Sequence, residues 1–313
     1  MEYRIIKDYK GNESYRKSFN ELAKLVFGID FERWYSLGFW NERYVCFSIL
    51  DGERVVSNVS ANIMDLIIDG AVVPVIQIGT VMTHPDYRKK GLAARLMDTV
   101  LKEYKHKCDI VFLFANPDAA GFYRKFGFDT VYETGFYAEA PDKPGYTKKG
   151  GKPENADESL SLLTKMPAGS RKLNLSNSAD VELIRRLSAA RAPLSLAFGT
   201  AGTEGILAWH CLNSLPEAIY YLEALDTIVI CRKENGVLHL YDVISRNTPD
   251  YRELIGELWL EGEPEEIAFH FTPNMESIPV KCRPYDTNEY IFFTMSQKIH
   301  LEGAFFYPYT AHA

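Results

Sequence analysis

The feature that most constrains this chain is a change of hydrophobic period across residues 84–91. Ahead of it, residues 44–50, 55–68 and 72–83 run with the two-residue alternation of half-buried strands. Behind it, Leu92, Leu96 and Val100, flanked by Ala93, Met97 and Tyr104, repeat every three to four residues, the period of an amphipathic helix opening at Gly91. Asp51 with Gly52, and Asp69 with Gly70, separate the strand-like runs, and an Asp-Gly pair favours a hairpin turn because glycine accepts a positive φ. An antiparallel meander that passes directly into a helix points to an α/β (α+β) fold, expected to hold a mixed, mainly antiparallel sheet.

The flanking segments extend this layout. Residues 3–8 predict a strand, and 14–27 and 31–40 predict helices. Residues 109–114 are apolar after the first position, as in a strand buried on both faces. Asn116 and Pro117 then predict a helix start, since Asn caps well and Pro is preorganised for the first helical position. Gly127 predicts a left-handed helix end, with Phe128 opening the next strand. Residues 141–155, rich in Pro, Gly and Lys, read as an exposed excursion, and 159–165 as a strand returning to the first domain. At 313 residues the chain exceeds the roughly 100–200 of one typical domain, so the boundary is placed at 167–170, dividing 1–168 from 169–313. The second half restarts the programme: a strand at 172–175, a helix led by Val181, Ile184 and Leu187, and a helix at 204–213. Strands at 219–225, 227–232 and 237–244, a helix at 251–260, and strands at 266–272, 290–295 and 303–307 follow. The repeat is one of layout rather than of sequence, which points to duplication.

Charge and cysteine usage exclude several classes of partner. A net charge of −7 opposes a nonspecific nucleic-acid surface, which needs concentrated Lys and Arg. An amine-bearing substrate suits the acidic balance better. Cys46, Cys108, Cys211, Cys231 and Cys282 stand far apart with no C-x-x-C pair, and they read as reduced thiols of a cytoplasmic protein. The histidines show no metal-ligand spacing, so no metal is expected. The N-terminus lacks a signal-like apolar core, and no run approaches the roughly 20 apolar residues of a membrane span. Nothing in the sequence excludes an oligomer.

The chemistry concentrates in two clusters. In the first, a strand ending Val81-Met82-Thr83 passes through Arg88, Lys89, Lys90 and Gly91 into the helix begun by Leu92 and Ala93. The first N–H groups of that helix lack intrahelical partners and sit at the positive end of its dipole, which suits a pyrophosphate. Gly91 permits close backbone approach, small Ala93 avoids blocking it, and the three cations add positive charge. The second cluster is Asn116-Pro117-Asp118-Ala119-Ala120-Gly121-Phe122-Tyr123, continuing to Phe126-Gly127-Phe128.

Together these clusters resemble the GCN5-related N-acetyltransferase (GNAT) superfamily, which pairs a Q/R-x-x-G-x-G/A loop with a downstream N-x-x-A-x-x-F-Y-x-x-x-G-F helix. Ala93 stands where glycine is commoner, a change the family pattern tolerates. The resemblance covers roughly residues 3–139 and implies acetyl-CoA as cosubstrate. It implies a splayed parallel pair of strands that receives the pantetheine arm, with main-chain contacts from Val81 and Met82. Arg88, Lys89, Lys90, Gly91, Leu92 and Ala93 would face the pyrophosphate, and Asn116 would hydrogen-bond near the arm. Direct attack by a neutral amine follows, with Met82 N–H polarising the carbonyl and Tyr123 protonating the departing thiolate. Beside Phe122 and Phe126, the Tyr123 ring also fits a purely core position.

The general base is not legible. Residues 72–83 carry no carboxylate, and Gln77 cannot serve. His84, Glu133, Asp65 or a water relay remain as candidates. In the second half, residues 241–252 contain no glycine and place Asp250 near a helix start, where a carboxylate opposes a pyrophosphate. This half reads as a degenerate acetyltransferase-like domain forming packing and one wall of the acceptor cleft. Two functions fit: an enzyme acetylating an amine of a small molecule or peptide, or a noncatalytic acyl-CoA-binding or interaction protein. With one intact loop, calorimetric titration is expected to find one acetyl-CoA site per chain, and two equivalent sites would refute the degeneracy.

Overall fold

The computed structural model describes residues 3–140, 170–258, 264–276, 278–285, 287, 289–296, 299 and 301–313. The first half contains β1 (Arg4–Lys7), α1 (Glu13–Phe27), α2 (Glu32–Ser36), β2 (Tyr44–Asp51), β3 (Arg54–Ile68) and β4 (Ala71–Thr83). Next come α3 (Leu92–Tyr104), β5 (Ile110–Ala115), α4 (Ala120–Tyr123), β6 (Asp129–Val131) and β7 (Glu133–Glu139). The second half contains β8 (Ser170–Lys172), α5 (Ser178–Ala189), β9 (Phe198–Ala201), α6 (Glu204–Asn213), β10 (Ile219–Leu222) and β11 (Thr227–Glu234). It continues with β12 (Val237–Ile244), α7 (Tyr251–Glu257), β13 (Glu266–Phe269), β14 (Lys281–Tyr285) and β15 (Ile291–Ser296).

Two sheets hold these strands, in the orders β1-β2-β3-β4-β5-β15-β6 and β8-β10-β11-β12-β13-β7-β14, with β9 added beside β3. Each sheet is an antiparallel meander interrupted by one parallel pair at the same place, β4 with β5 and β12 with β13. The layouts therefore repeat, as the sequence pattern predicts. The penultimate strand of each sheet comes from the other half of the chain. β15 lies between β5 and β6, and β7 lies between β13 and β14. Sheet membership thus follows no single cut in the sequence. The boundary expected between 168 and 169, the excursion at 141–155 and the strand at 159–165 lie outside the described residues.

Local chemistry explains most element ends. The Asn12 side chain accepts from Tyr15 N–H and caps α1, whose Phe19, Leu22 and Ala23 are buried, and Gly28 at φ 73° ends it. The helix expected at 31–40 is only α2, because Gly38 at φ 76° turns the chain and Phe39 N–H bonds back to the Trp34 carbonyl. The helix expected at 251–260 runs Tyr251–Glu257, with 259 and 260 outside the described residues. The strand expected at 303–307 is not one. Phe305, Phe306 and Tyr307 are buried, yet their backbone groups bond to Thr134, Thr272 and Glu133 rather than to one ladder. β9 and β14 have no counterpart in the sequence pattern.

A shared core joins the halves. Phe19, Phe31, Trp34 and Trp40 from the first pack with Leu173, Ile184, Leu187, Leu207 and Ile230 from the second. At about 1.5–3 kcal/mol for each large apolar side chain fully buried, this contact is a large fraction of the stability of any domain. Among the described residues no helix is long and apolar enough to cross a membrane.

The crossing point of the exchange holds a buried carboxyl. Glu133 accepts from Tyr307 N–H (2.8 Å) and from the Tyr290 hydroxyl (3.2 Å), and burial pushes its pKa up to about 7. The folded chain therefore holds this proton more tightly than the unfolded chain, so stability falls as pH rises from the ordinary carboxylate range to about 7. Glu133→Gln is expected to remove that fall, a difference on the order of 2–3 kcal/mol above pH 7. Denaturant unfolding of both forms at pH 5 and pH 8 measures it, and parallel pH dependences would contradict the assignment.

Candidate active site

The site forms where β4 and β5 part. Their parallel pairing runs from Val75 with Ile110 to Ile78 with Leu113 and stops, while β4 continues to Thr83 and β5 to Ala115. On its other edge β4 bulges against β3, with Ser60 opposite Gly79 and Asn58 opposite Met82. Thr80, inside the bulge, has φ 48°, a strained value for a β-branched residue. Buried side chains hold it there. Asn58 Nδ2 donates to the Thr80 carbonyl (2.9 Å) and to Ser60 Oγ (2.9 Å), and Asn58 Oδ1 accepts from Ser48 Oγ (2.8 Å). Thr80 Oγ1 bonds the Tyr44 hydroxyl (2.8 Å), and Ser57 Oγ donates to the Met82 carbonyl (3.1 Å). Val81 and Met82 are thereby fixed at the mouth of the parting strands, Val81 partly buried and Met82 buried.

The basic turn lies next along the chain. Arg88, Lys89, Lys90 and Gly91 are exposed, with positive φ at Lys89 (61°) and Gly91 (76°). A Cβ on Gly91 would meet nothing within 4 Å, so this residue is required for its conformation rather than for tight packing. No side chain caps α3 and its first turn, starting at Leu92 and Ala93, carries no acid, so its N-terminal donors face outward beside three cations. Asn116 caps its own turn by accepting from Asp118 N–H (2.9 Å). Tyr123 is buried among Phe122, Phe128 and Phe293 of β15, and burial pushes its phenol up to about 12. The ring belongs to the core, as one of its two sequence readings has it, and its hydroxyl makes no hydrogen bond to a described residue.

The candidate bases fare differently. His84 faces a donor at each ring nitrogen, Arg54 at Nε2 (2.8 Å) and Asp86 N–H at Nδ1 (3.3 Å), and a neutral imidazole has one lone pair to accept with, so that lone pair is committed in either tautomer. Asp65 lies six residues along β3 from Val59, roughly 20 Å from the bulge at strand spacing. Glu133 is engaged with Tyr290 and Tyr307. Gln77 is fully buried on β4, and neither end of its amide finds a described partner. Among the described residues no group of three or more His, Cys, Asp or Glu side chains could hold a metal.

A cavity of about 270 Å³ opens beside Thr80, walled by Phe31, Trp34 and Tyr44 from the first half and Ile206 and Trp209 of α6 from the second. Sequence reasoning missed every one of these residues, because they are scattered along the chain and share no motif. Ile206 and Trp209 of the second half form one wall of this cavity.

The equivalent cleft of the second half is closed from within. β12 parts from β13 after Leu240 and Phe269 and bulges at Tyr241, between Leu240 and Asp242. Here the buried Asp242 binds Arg191 and the Thr310 hydroxyl, and Tyr309 N–H bonds the His270 carbonyl (2.9 Å). Residues 309 and 310 thus bridge the two diverging chains. Asp250 accepts from Arg252 and Glu253 N–H, spending the α7 donors that an anion would need.

Residues 9–131 match the family model described as an acetyltransferase (GNAT) domain. No curated protein sequence matches the chain significantly. Among solved structures, a probable N-acyltransferase from Enterococcus faecalis V583 is 18% identical, covering 95% of this chain and 72% of its own, with a TM-score of 0.56. A GCN5-related N-acetyltransferase from Kribbella flavida is 17% identical over 94% of this chain and 72% of its own, with a TM-score of 0.52. One from Anabaena variabilis ATCC 29413 is 15% identical at the same coverages, with a TM-score of 0.51. At these identities the likeness concerns the fold, and it extends over both halves.

The bulge rests on this chain's own side chains. Asn58→Leu would leave the Thr80 carbonyl and Ser48 hydroxyl buried without that partner, and is expected to cost about 2–4 kcal/mol in urea unfolding. A loss below about 0.5 kcal/mol would mean that Asn58 does not hold the bulge.

Proposed function

We propose that this chain, which carries a GNAT acetyltransferase domain across residues 9–131, is an acetyl-CoA-dependent N-acetyltransferase acting on a primary amine of a small molecule or peptide. The observation that carries the reading is the parting of β4 from β5 at the strained Thr80 bulge, beside the uncapped start of α3. Acetyl-CoA would supply an activated acetyl thioester. The main chain of Val81 and Met82 would hold its arm as an added strand. Arg88, Lys89, Lys90 and Gly91, with the first N–H groups of α3 at Leu92 and Ala93, would hold the pyrophosphate. The Asn116 amide lies at the end of β5, where it can hydrogen-bond the arm. Because the bulge is fixed before substrate arrives, Met82 N–H can polarise the acetyl carbonyl without reorganising. A carboxylate is not needed on β4 if the amine reaches the site already neutral, and a low-dielectric cavity favours that form.

On this reading residues 1–168 host the reaction, and 169–313 form a degenerate acetyltransferase-like domain that closes the acceptor side. All five cysteines are unpaired, which agrees with a cytoplasmic setting. The second reading, a noncatalytic acyl-CoA binder, draws on the engagement of His84 and Glu133 elsewhere. Thiol release from acetyl-CoA across an amine panel separates the two.

Tyr123 tests the chemistry. With its pKa pushed up to about 12, the phenol stays protonated throughout the neutral range, the form a donor to the departing thiolate needs. Tyr123→Phe removes only the hydroxyl from an aromatic pocket, so cofactor affinity should hold while turnover falls roughly 10-fold to 100-fold. Wild-type turnover in this variant, measured with chemistry rate-limiting, would return the ring to a purely structural role.

A further inference from the structure

Resting on the acetyltransferase reading, we propose that the acceptor is a primary amine carried on a flat aromatic group, and that the cavity beside Thr80 is its site. Position comes first. Thr80 lines the cavity and is followed directly by Val81 and Met82, so a molecule seated there has one end at the bulge. The polar side chains of the lining are Tyr44 on β2, Asn62 on β3 and Thr80 on β4, the Ala313 backbone joins them beside Gly79, and the opposite walls are Phe31, Trp34 and Trp209. The site is therefore polar at the reacting end and aromatic at the other.

The walls select for a ring. Phe31 and Trp209 stack at 4.4 Å between centroids, and Trp34 meets Trp209 edge-on at 90°. Trp34 Nε1 donates to the Gly205 carbonyl (2.7 Å), so this donor is spent and the indole presents only apolar surface. The stacked pair turns its inner faces on each other, which makes the group a packing wall rather than an open cage for a cation. A volume of about 270 Å³ holds roughly a dozen non-hydrogen atoms at protein packing density, enough for a single ring system with a short amine tail. The exposed Phe27 at the rim extends the apolar entry.

The same walls disfavour polyamines and aminoglycosides. Apart from Ala313, whose backbone carboxyl end lies beside Gly79 at the polar end, the lining is built of uncharged residues, so a second or third ammonium group would be desolvated among rings with nothing to pair it. An aromatic monoamine loses only one charge, at the end where it must be neutral to attack.

The test uses 2-phenylethylamine, 2-phenylethanol and spermidine with the full chain, read by calorimetry and by thiol release from acetyl-CoA. Both phenyl compounds are expected to bind and to compete with each other. Acetylation should favour 2-phenylethylamine over spermidine by about tenfold or more in kcat/KM. Trp209→Ala is expected to weaken binding of 2-phenylethanol about tenfold or more. Ile206→Trp, which fills the cavity instead of opening it, should abolish the same binding with the fold checked by thermal unfolding. Absence of binding by both phenyl compounds would overturn the inference, as would preferred acetylation of spermidine. Binding of 2-phenylethanol without turnover of any amine would sink the acetyltransferase reading while supporting the ligand class.

Discussion

Between β5 and β6 the first sheet has a gap one strand wide, and β15 fills it. Its six residues pair along the whole of β5 and bring Phe293 against Tyr123. The second sheet is completed in the same way by β7, which leaves the first half at Glu133. Each sheet thus depends on a strand supplied by the other, and the cavity wall at Ile206 and Trp209 is held in place by that dependence together with the shared aromatic core. Neither sheet is complete without a strand from the other half.

The two sheets share one layout, yet one cleft is open and the other closed. Both sheets keep the parallel pair and a bulge on the strand that enters it. In the first, small and polar residues hold the bulge from behind, leaving the space between the strands clear. In the second, an ion pair between Arg191 and Asp242 occupies the bulge, the chain near residue 309 crosses the cleft, and a carboxylate caps the adjoining helix. Identical backbone topology carries opposite fates, decided by a handful of side chains.

Features governed by near neighbours were legible in the sequence. Period and turn chemistry predicted the meander, α3 with its Gly91 start, and the left-handed Gly127. The basic turn and the Asn116–Tyr123 cluster were legible for the same reason, being contiguous. Partner choice was not. Residues 133–139 alternate in the same way whichever sheet they join, so no local signal announces that β7 crosses over. Phe305, Phe306 and Tyr307 have strand-like burial, but their backbone partners come from three separate segments. Thr80 gave no warning of a positive φ, since its strain is held by side chains some 20 to 40 residues upstream along the chain.

The placement of β15 also sets an order of events during synthesis. The turn, the bulge and Tyr123 all emerge before residue 131, whereas the strand that closes their sheet begins at Ile291. At translation rates of about 5–20 residues per second, that separation leaves the facing edges of β5 and β6 unpaired for roughly 10–30 seconds on every ribosome. An unpaired apolar edge is a template for any passing strand. The nearest suitable strand is β15 of another copy emerging from the same message. The length of chain between β6 and β15 therefore sets how long that edge stays open to exchange with another copy.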